Sequence, residues 1–186
     1  MSISEVLQRI TAALDQNGVD YMLTGSFASA YHGTPRSTQD IDIVVEATAA
    51  QLRDLVNSLP VGQYYSDLDA ALQAHKAESM FNVIDLSTGW KIDFILRKSR
   101  PFSREEFRRR TRVNLQEVSL FVASAEDVVI AKLEWSRLAQ SQRQIDDAAA
   151  ILRARRETLD HRYIEKWTGE LQVQEEWAKA KRAALV

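Results

Sequence analysis

The chain has 186 residues, 45% of them hydrophobic, with 24 Lys and Arg against 26 Asp and Glu and no cysteine. A chain of this length buries about 70% of the surface its unfolded form exposes, enough for one domain, or one with a helical appendage, without disulfides or a structural metal. Absent cysteine excludes thiolate zinc sites, cysteine nucleophiles and a disulfide framework. No run approaches the ~18 apolar residues of a membrane span. The start, MSISEVLQRI, carries Glu5 where a secretory signal needs a basic end, so a cytoplasmic location with no membrane partner is expected.

In chain order, Ile3, Val6, Leu7, Ile10, Ala13 and Leu14 recur at helical spacing, and Asn17-Gly18 supplies a stop. Val19 to Thr24 is a short apolar strand; Gly25-Ser26 opens a helical stretch, Phe27 to His32, that ends at Gly33 with Pro35 beyond. Asp40-Ile41-Asp42-Ile43-Val44-Val45 alternates before turning wholly apolar, which predicts a strand with both carboxylates on one side. Helices at about 48–58 and 67–77 follow, then strands Met80–Leu86 and Trp90–Leu96 joined through Ser87-Thr88-Gly89. A basic helix near 103–110 leads to a strand at about 118–122, and everything from Ser124 onward is helical, with Ser124 and Asp127 in capping-box spacing. The reading is an α/β chain: a core over 1–123 with a small mixed sheet, and a helical region over 124–186 packed on it.

Charge is unevenly spread. Residues 1–96 hold 5 basic and 12 acidic side chains, whereas residues 97–112 hold 8 basic and 2 acidic. A solvated helix face explains such a run as well as a polyanion-binding strip does.

Asp40 and Asp42, two residues apart on a strand, stand roughly 6–7 Å apart along its rise and on one face. Carboxylates so close repel unless a cation intervenes. A divalent cation such as magnesium takes oxygen ligands and shares phosphates, so two or three acids suffice. Asp93, between Ile92 and Phe94 on a later strand, is a candidate third acid, and the Gly25-Ser26 turn at a helix start offers backbone N–H groups to an anion. Solvated acids at strand ends are the simpler reading of each acid alone.

The string LTGSFASAYHGTPRSTQDIDIVV resembles the signature of the nucleotidyltransferase superfamily with the DNA polymerase beta-like fold, in which a Gly-Ser or Gly-Gly turn precedes a Dx[DE] pair. HGTPRSTQDID, KIDFI, SAEDVVIAKLEWSR and DDAAAIL together resemble its AbiEii-type branch, known for toxins of toxin-antitoxin and phage-defence systems. The resemblance spans roughly residues 19–152. It implies two Mg2+ ions, with Mn2+ as a substitute, on Asp40, Asp42 and Asp93, and assigns Asp93 the proton of the incoming hydroxyl. It implies phosphate contact at Gly25 and Ser26, nucleotide contact at Arg36 and Thr38, a triphosphate-facing Lys132, and an acidic pair, Asp146 and Asp147, of which Asp147 is placed with the nucleotide. A loop arginine pairing with Asp40 is an equal reading of Arg36.

The expected activity is transfer of a nucleoside monophosphate from an NTP such as ATP to a hydroxyl of a tRNA, a protein or a small molecule, with an antitoxin protein as a partner if the chain is a toxin. The rival is a non-catalytic nucleotidyltransferase-like partner in a protein complex. His32 reads as a helix-end side chain on carbonyls, and Trp135, Trp167 and Trp177 as packing on Leu- and Ala-rich helices.

Overall fold

The computed structural model describes residues 2–185. In chain order its elements are α1 (Ile3–Gln16), β1 (Asp20–Leu23), α2 (Gly25–His32), β2 (Asp40–Glu46), α3 (Ala49–Ser58), β3 (Tyr64–Ser66), α4 (Leu68–Ala77), β4 (Met80–Asp85), β5 (Lys91–Leu96), α5 (Pro101–Arg108), β6 (Thr111–Leu115), β7 (Val118–Val122), α6 (Ala125–Ala139), α7 (Gln142–Ala154), α8 (His161–Glu170) and α9 (Gln174–Ala184). They form two compact units. One comprises the chain up to Thr24 with Thr38–Val122, and the other comprises Gly25–Ser37 with the chain from Ala123 onward. The N-terminal turn of α2 thus belongs to the same unit as the C-terminal helices.

The first unit is built on a seven-stranded sheet in the order β3-β4-β5-β2-β1-β7-β6. β1 runs parallel to β7 and β2 parallel to β5, while the other neighbours are antiparallel, so the sheet is mixed. Its apolar side is set by period-2 alternation: Ile41, Ile43 and Val45 of β2 and Ile92, Phe94 and Leu96 of β5 are each at most 4% exposed. α1 contacts β1 and β7, α4 contacts β4, and α3 packs on both helices. α1 begins in a full capping box between Ser2 and Glu5, as its sequence start invites.

Two strands depart from the sequence reading. β6 pairs with β7 along its whole length, where the sequence marks only the second of the two strands. Its turn, Gln116-Glu117, holds φ of 52° and 67°, a left-handed conformation that hairpin turns ordinarily assign to Gly or Asn, so the usual marker is missing. β3 is three residues long, too short for alternation to show. The β4–β5 hairpin forms as expected, with Gly89 at φ 76°.

In the second unit α2 packs on α6 and α7, α7 packs on α9, and α8 contacts α6 and α9. α6 is capped by Ser124, whose hydroxyl bonds the Asp127 carboxylate at 2.6 Å; Tyr163 of α8 donates its hydroxyl to the other Asp127 oxygen at 2.6 Å. Asp127 is fully buried, so these bonds tie the start of α6 to α8. Trp167 and Trp177 are buried in this unit while Trp135 is half exposed.

At Gly33 the backbone of α7 comes close. A Cβ there would lie 3.0 Å from the Ile151 amide nitrogen and 3.1 Å from the Ala150 carbonyl carbon, neither of which is a flexible side-chain end. Gly33→Ala is expected to cost about 1–3 kcal/mol by forcing α7 away, read as a lowered urea midpoint at unchanged slope.

Candidate functional site

The acidic face of the first unit follows from register. β2 and β5 are parallel neighbours with Asp40 opposite Lys91 and Asp42 opposite Asp93, so all four side chains project from one face of the sheet. The opposite, apolar face anchors both strands, and a slip of one residue would bury the acids, so the hydrophobic pattern pins the constellation. Asp40 is exposed, Asp42 half-buried and Asp93 only 5% exposed. Thr38 sits ahead of β2 and uses its hydroxyl on the Asp40 backbone, accepting from the Asp40 amide at 3.2 Å.

Among the described residues no three His, Asp or Glu side chains form a ready metal-binding group. A cation is nevertheless drawn between two of the acids. Lys91 places Nζ 2.9 Å from Asp93 Oδ2 and 3.5 Å from Asp40 Oδ1. The hydrogen bond to Asp93, reinforced by the carboxylate charges, raises the Lys91 pKa above its ordinary value. Asp93 Oδ1 is buried and has no hydrogen-bond partner among the described residues, an uncommon state for a carboxylate oxygen. Oxygen donors on one face, an unsatisfied buried carboxylate oxygen and an attraction for positive charge together fit a hard divalent cation.

The second unit gathers the other candidates. Gly25, at φ 62°, begins α2, and the Ser26 hydroxyl accepts from Arg36 Nη2 at 2.5 Å. Arg36 Nε reaches both oxygens of Asp147, at 3.0 and 3.2 Å, although 111 positions separate the two residues. Lys132 Nζ donates to Asp147 Oδ2 at 2.8 Å. Asp147 is 8% exposed and the Lys132 side chain 6%. Burial alone would raise the Asp147 carboxyl, but the bonds and charges of Arg36 and Lys132 outweigh it and hold the group below the usual carboxylate range. Two cations on one carboxylate leave one net positive charge on these three side chains. Asp146, its exposed neighbour, accepts from Gln142 along α7.

Two features escape sequence reasoning. Lys91 stands two residues before Asp93, a spacing that puts both on one strand face, so the signal was present in KIDFI. Asp147 acts as the shared counter-ion of Arg36 and Lys132, which no local pattern reveals. His32 places Nε2 2.7 Å from the Ala123 carbonyl oxygen, and burial lowers its pKa, as a helix-end structural histidine would show. In the basic segment, Arg97 pairs with Glu46, Arg108 with Glu105 and Arg110 with Asp20, while Arg112 bonds Ser119, so much of that charge is engaged within the unit. No helix among the described residues is long and apolar enough to cross a membrane.

The fold is that of known nucleotidyltransferases. The solution structure of the antibiotic-resistance factor ANT(2'')-Ia superposes with a TM-score of 0.60 at 12% identity, covering 98% of each chain. The crystal structure of ANT(2'')-Ia in complex with adenylyl-2''-tobramycin gives 0.60 at 13% identity, covering 92% of this chain and 97% of that one. An antigenic nucleotidyltransferase-like protein from Paracoccidioides brasiliensis gives 0.54 at 16% identity, over 96% and 91%. No curated protein matches the sequence. These likenesses do not carry the finer resemblance to the AbiEii-type branch. The family model described as nucleotidyltransferase of unknown function (DUF6036) matches residues 1–183, and the chain belongs to that family.

Proposed function

We propose that the chain is an active, divalent-cation-dependent nucleotidyltransferase that moves a nucleoside monophosphate from an NTP to a hydroxyl acceptor. The observation that carries this reading is the in-register placement of Asp42 beside Asp93 and Asp40 beside Lys91 on adjacent parallel strands, with Asp93 Oδ1 buried and unsatisfied. Asp40, Asp42 and Asp93 would hold two magnesium ions, or manganese in their place. When bound, such ions neutralise the triphosphate and acidify the attacking hydroxyl.

In the proposed reaction the acceptor oxygen forms a bond to the α-phosphorus as the bond from that phosphorus to the bridging oxygen breaks. Pyrophosphate leaves with that electron pair, and the acceptor's proton passes to the Asp93 carboxylate. The Arg36 guanidinium and the Lys132 ammonium, with Ser26 and the Gly25 backbone at the start of α2, are the donor types that a polyphosphate takes. Asp147 orients both cations and does not itself meet the anion, since like charges repel. Thr38 contributes through the Asp40 backbone that its hydroxyl holds.

A small polyhydroxylated amine is the first acceptor to test, because the ANT(2'')-Ia complex holds an adenylylated aminoglycoside on a similar fold. The experiment supplies magnesium and each labelled NTP, with an aminoglycoside panel, bulk tRNA or the protein itself as acceptor, beside the Asp40→Ala, Asp42→Ala double variant. Label on one acceptor class, present with the intact acids and absent from the variant, is the expected result. No label on any acceptor, together with no rise in melting temperature on adding magnesium and NTP, would sink the reading.

A further inference from the structure

Lys91 holds a position that a cation-binding site does not need to fill with protein. A side chain on the same strand face as Asp93, in register with Asp40, it places one ammonium within reach of two of the three carboxylates assigned to the metals. Its own exposure, 39% of the side chain, shows that burial does not force it there; the two acids draw it in. The second carboxylate oxygen of Asp93 stays buried and without a hydrogen-bond partner among the described residues, so the ammonium satisfies only half of that group.

We propose that Lys91 is a tethered counter-ion that competes with the divalent cation for Asp93 and Asp40 and has to swing away when the metal binds. The proposal rests on the metal-binding role given to these acids above. A monovalent ammonium on a flexible four-carbon stem neutralises part of the acidic face before any ligand arrives, which keeps β2 and β5 from repelling each other. A free divalent cation has to displace it and recovers only part of the attraction as gain. A cation arriving with a triphosphate brings anionic oxygens that accept the released ammonium. Lys91 therefore biases the face against free metal and in favour of metal already carried by nucleotide.

The test is Mn2+ binding by the full chain without nucleotide, followed by electron paramagnetic resonance of the free ion, for the wild type, Lys91→Met and Lys91→Arg. Lys91→Met removes the competitor and is expected to tighten Mn2+ binding by about tenfold. Lys91→Arg keeps a cation on the same acids and is expected to stay within about threefold of the wild type. The same two variants are compared by thermal melting without metal, so that a folding defect is separated from a binding change. Equal affinity in wild type and Lys91→Met, with Mn2+ bound by both and lost in Asp42→Ala, would overturn the counter-ion role and leave the metal site standing. If neither protein binds Mn2+ in an Asp42-dependent way, the metal reading and the inference fall together.

Discussion

Replacing Asp93 with asparagine is expected to lower nucleotidyl transfer by about 100-fold or more while leaving the fold intact. The carboxamide keeps the size of the side chain, and its oxygen can still accept from Lys91, which donates to Asp93 Oδ2 at 2.9 Å. What it loses is the charge and the ability to take a proton. Both matter to the role proposed for Asp93, which would share in holding a divalent cation and take the acceptor's proton. Strand β5 should tolerate the change, because Ile92, Phe94 and Leu96 on the opposite face keep their burial. The measurement is the initial rate of label transfer from the NTP with the acceptor that the wild type uses, beside circular dichroism and a melting curve. A rate within about threefold of wild type would remove Asp93 from the reaction. A matching collapse of the melting curve would assign it a structural role instead.

How far the sequence exposes this arrangement depends on whether the determinant is local. The strand Asp40–Glu46 and the co-facial placement of Asp40 and Asp42 follow from period-2 alternation, and the β4–β5 hairpin from its Gly89 turn. That Asp42 stands beside Asp93 depends on β2 and β5 pairing in parallel, a contact between distant segments that no spacing encodes. The same limit hides the Arg36–Asp147 bond. β6 was hidden for another reason: its turn residues Gln116 and Glu117 adopt positive φ without the glycine or asparagine that normally marks such a turn. Charge counting, finally, marked the segment from Arg97 to Arg112 as a strip, but Glu46, Glu105 and Asp20 pair with three of its arginines, and these partners become visible only once the chain is folded.

Asp147→Ala is expected to destabilise the helical unit by about 3–5 kcal/mol, a larger stability effect than any other single change considered for the protein. The substitution takes the carboxylate away from the Arg36 guanidinium and from a Lys132 ammonium whose side chain is only 6% exposed, and removing one member of a buried ion pair is costly. Removing that cation should recover part of the loss. The double variant Asp147→Ala, Lys132→Met is expected to be more stable than Asp147→Ala alone, a non-additivity that identifies the pair as coupled. The acid dependence has a defined sign. The folded-state pKa of Asp147 lies below the unfolded value of about 4, so the stabilisation it contributes is fully present above that pH and is lost as the pH falls through the folded pKa. Urea titrations from pH 7 downward should therefore show the gap between wild type and Asp147→Asn narrowing in acid. A gap that stays constant with pH would mean that the Asp147 charge contributes nothing and that its burial and packing hold α7 in place.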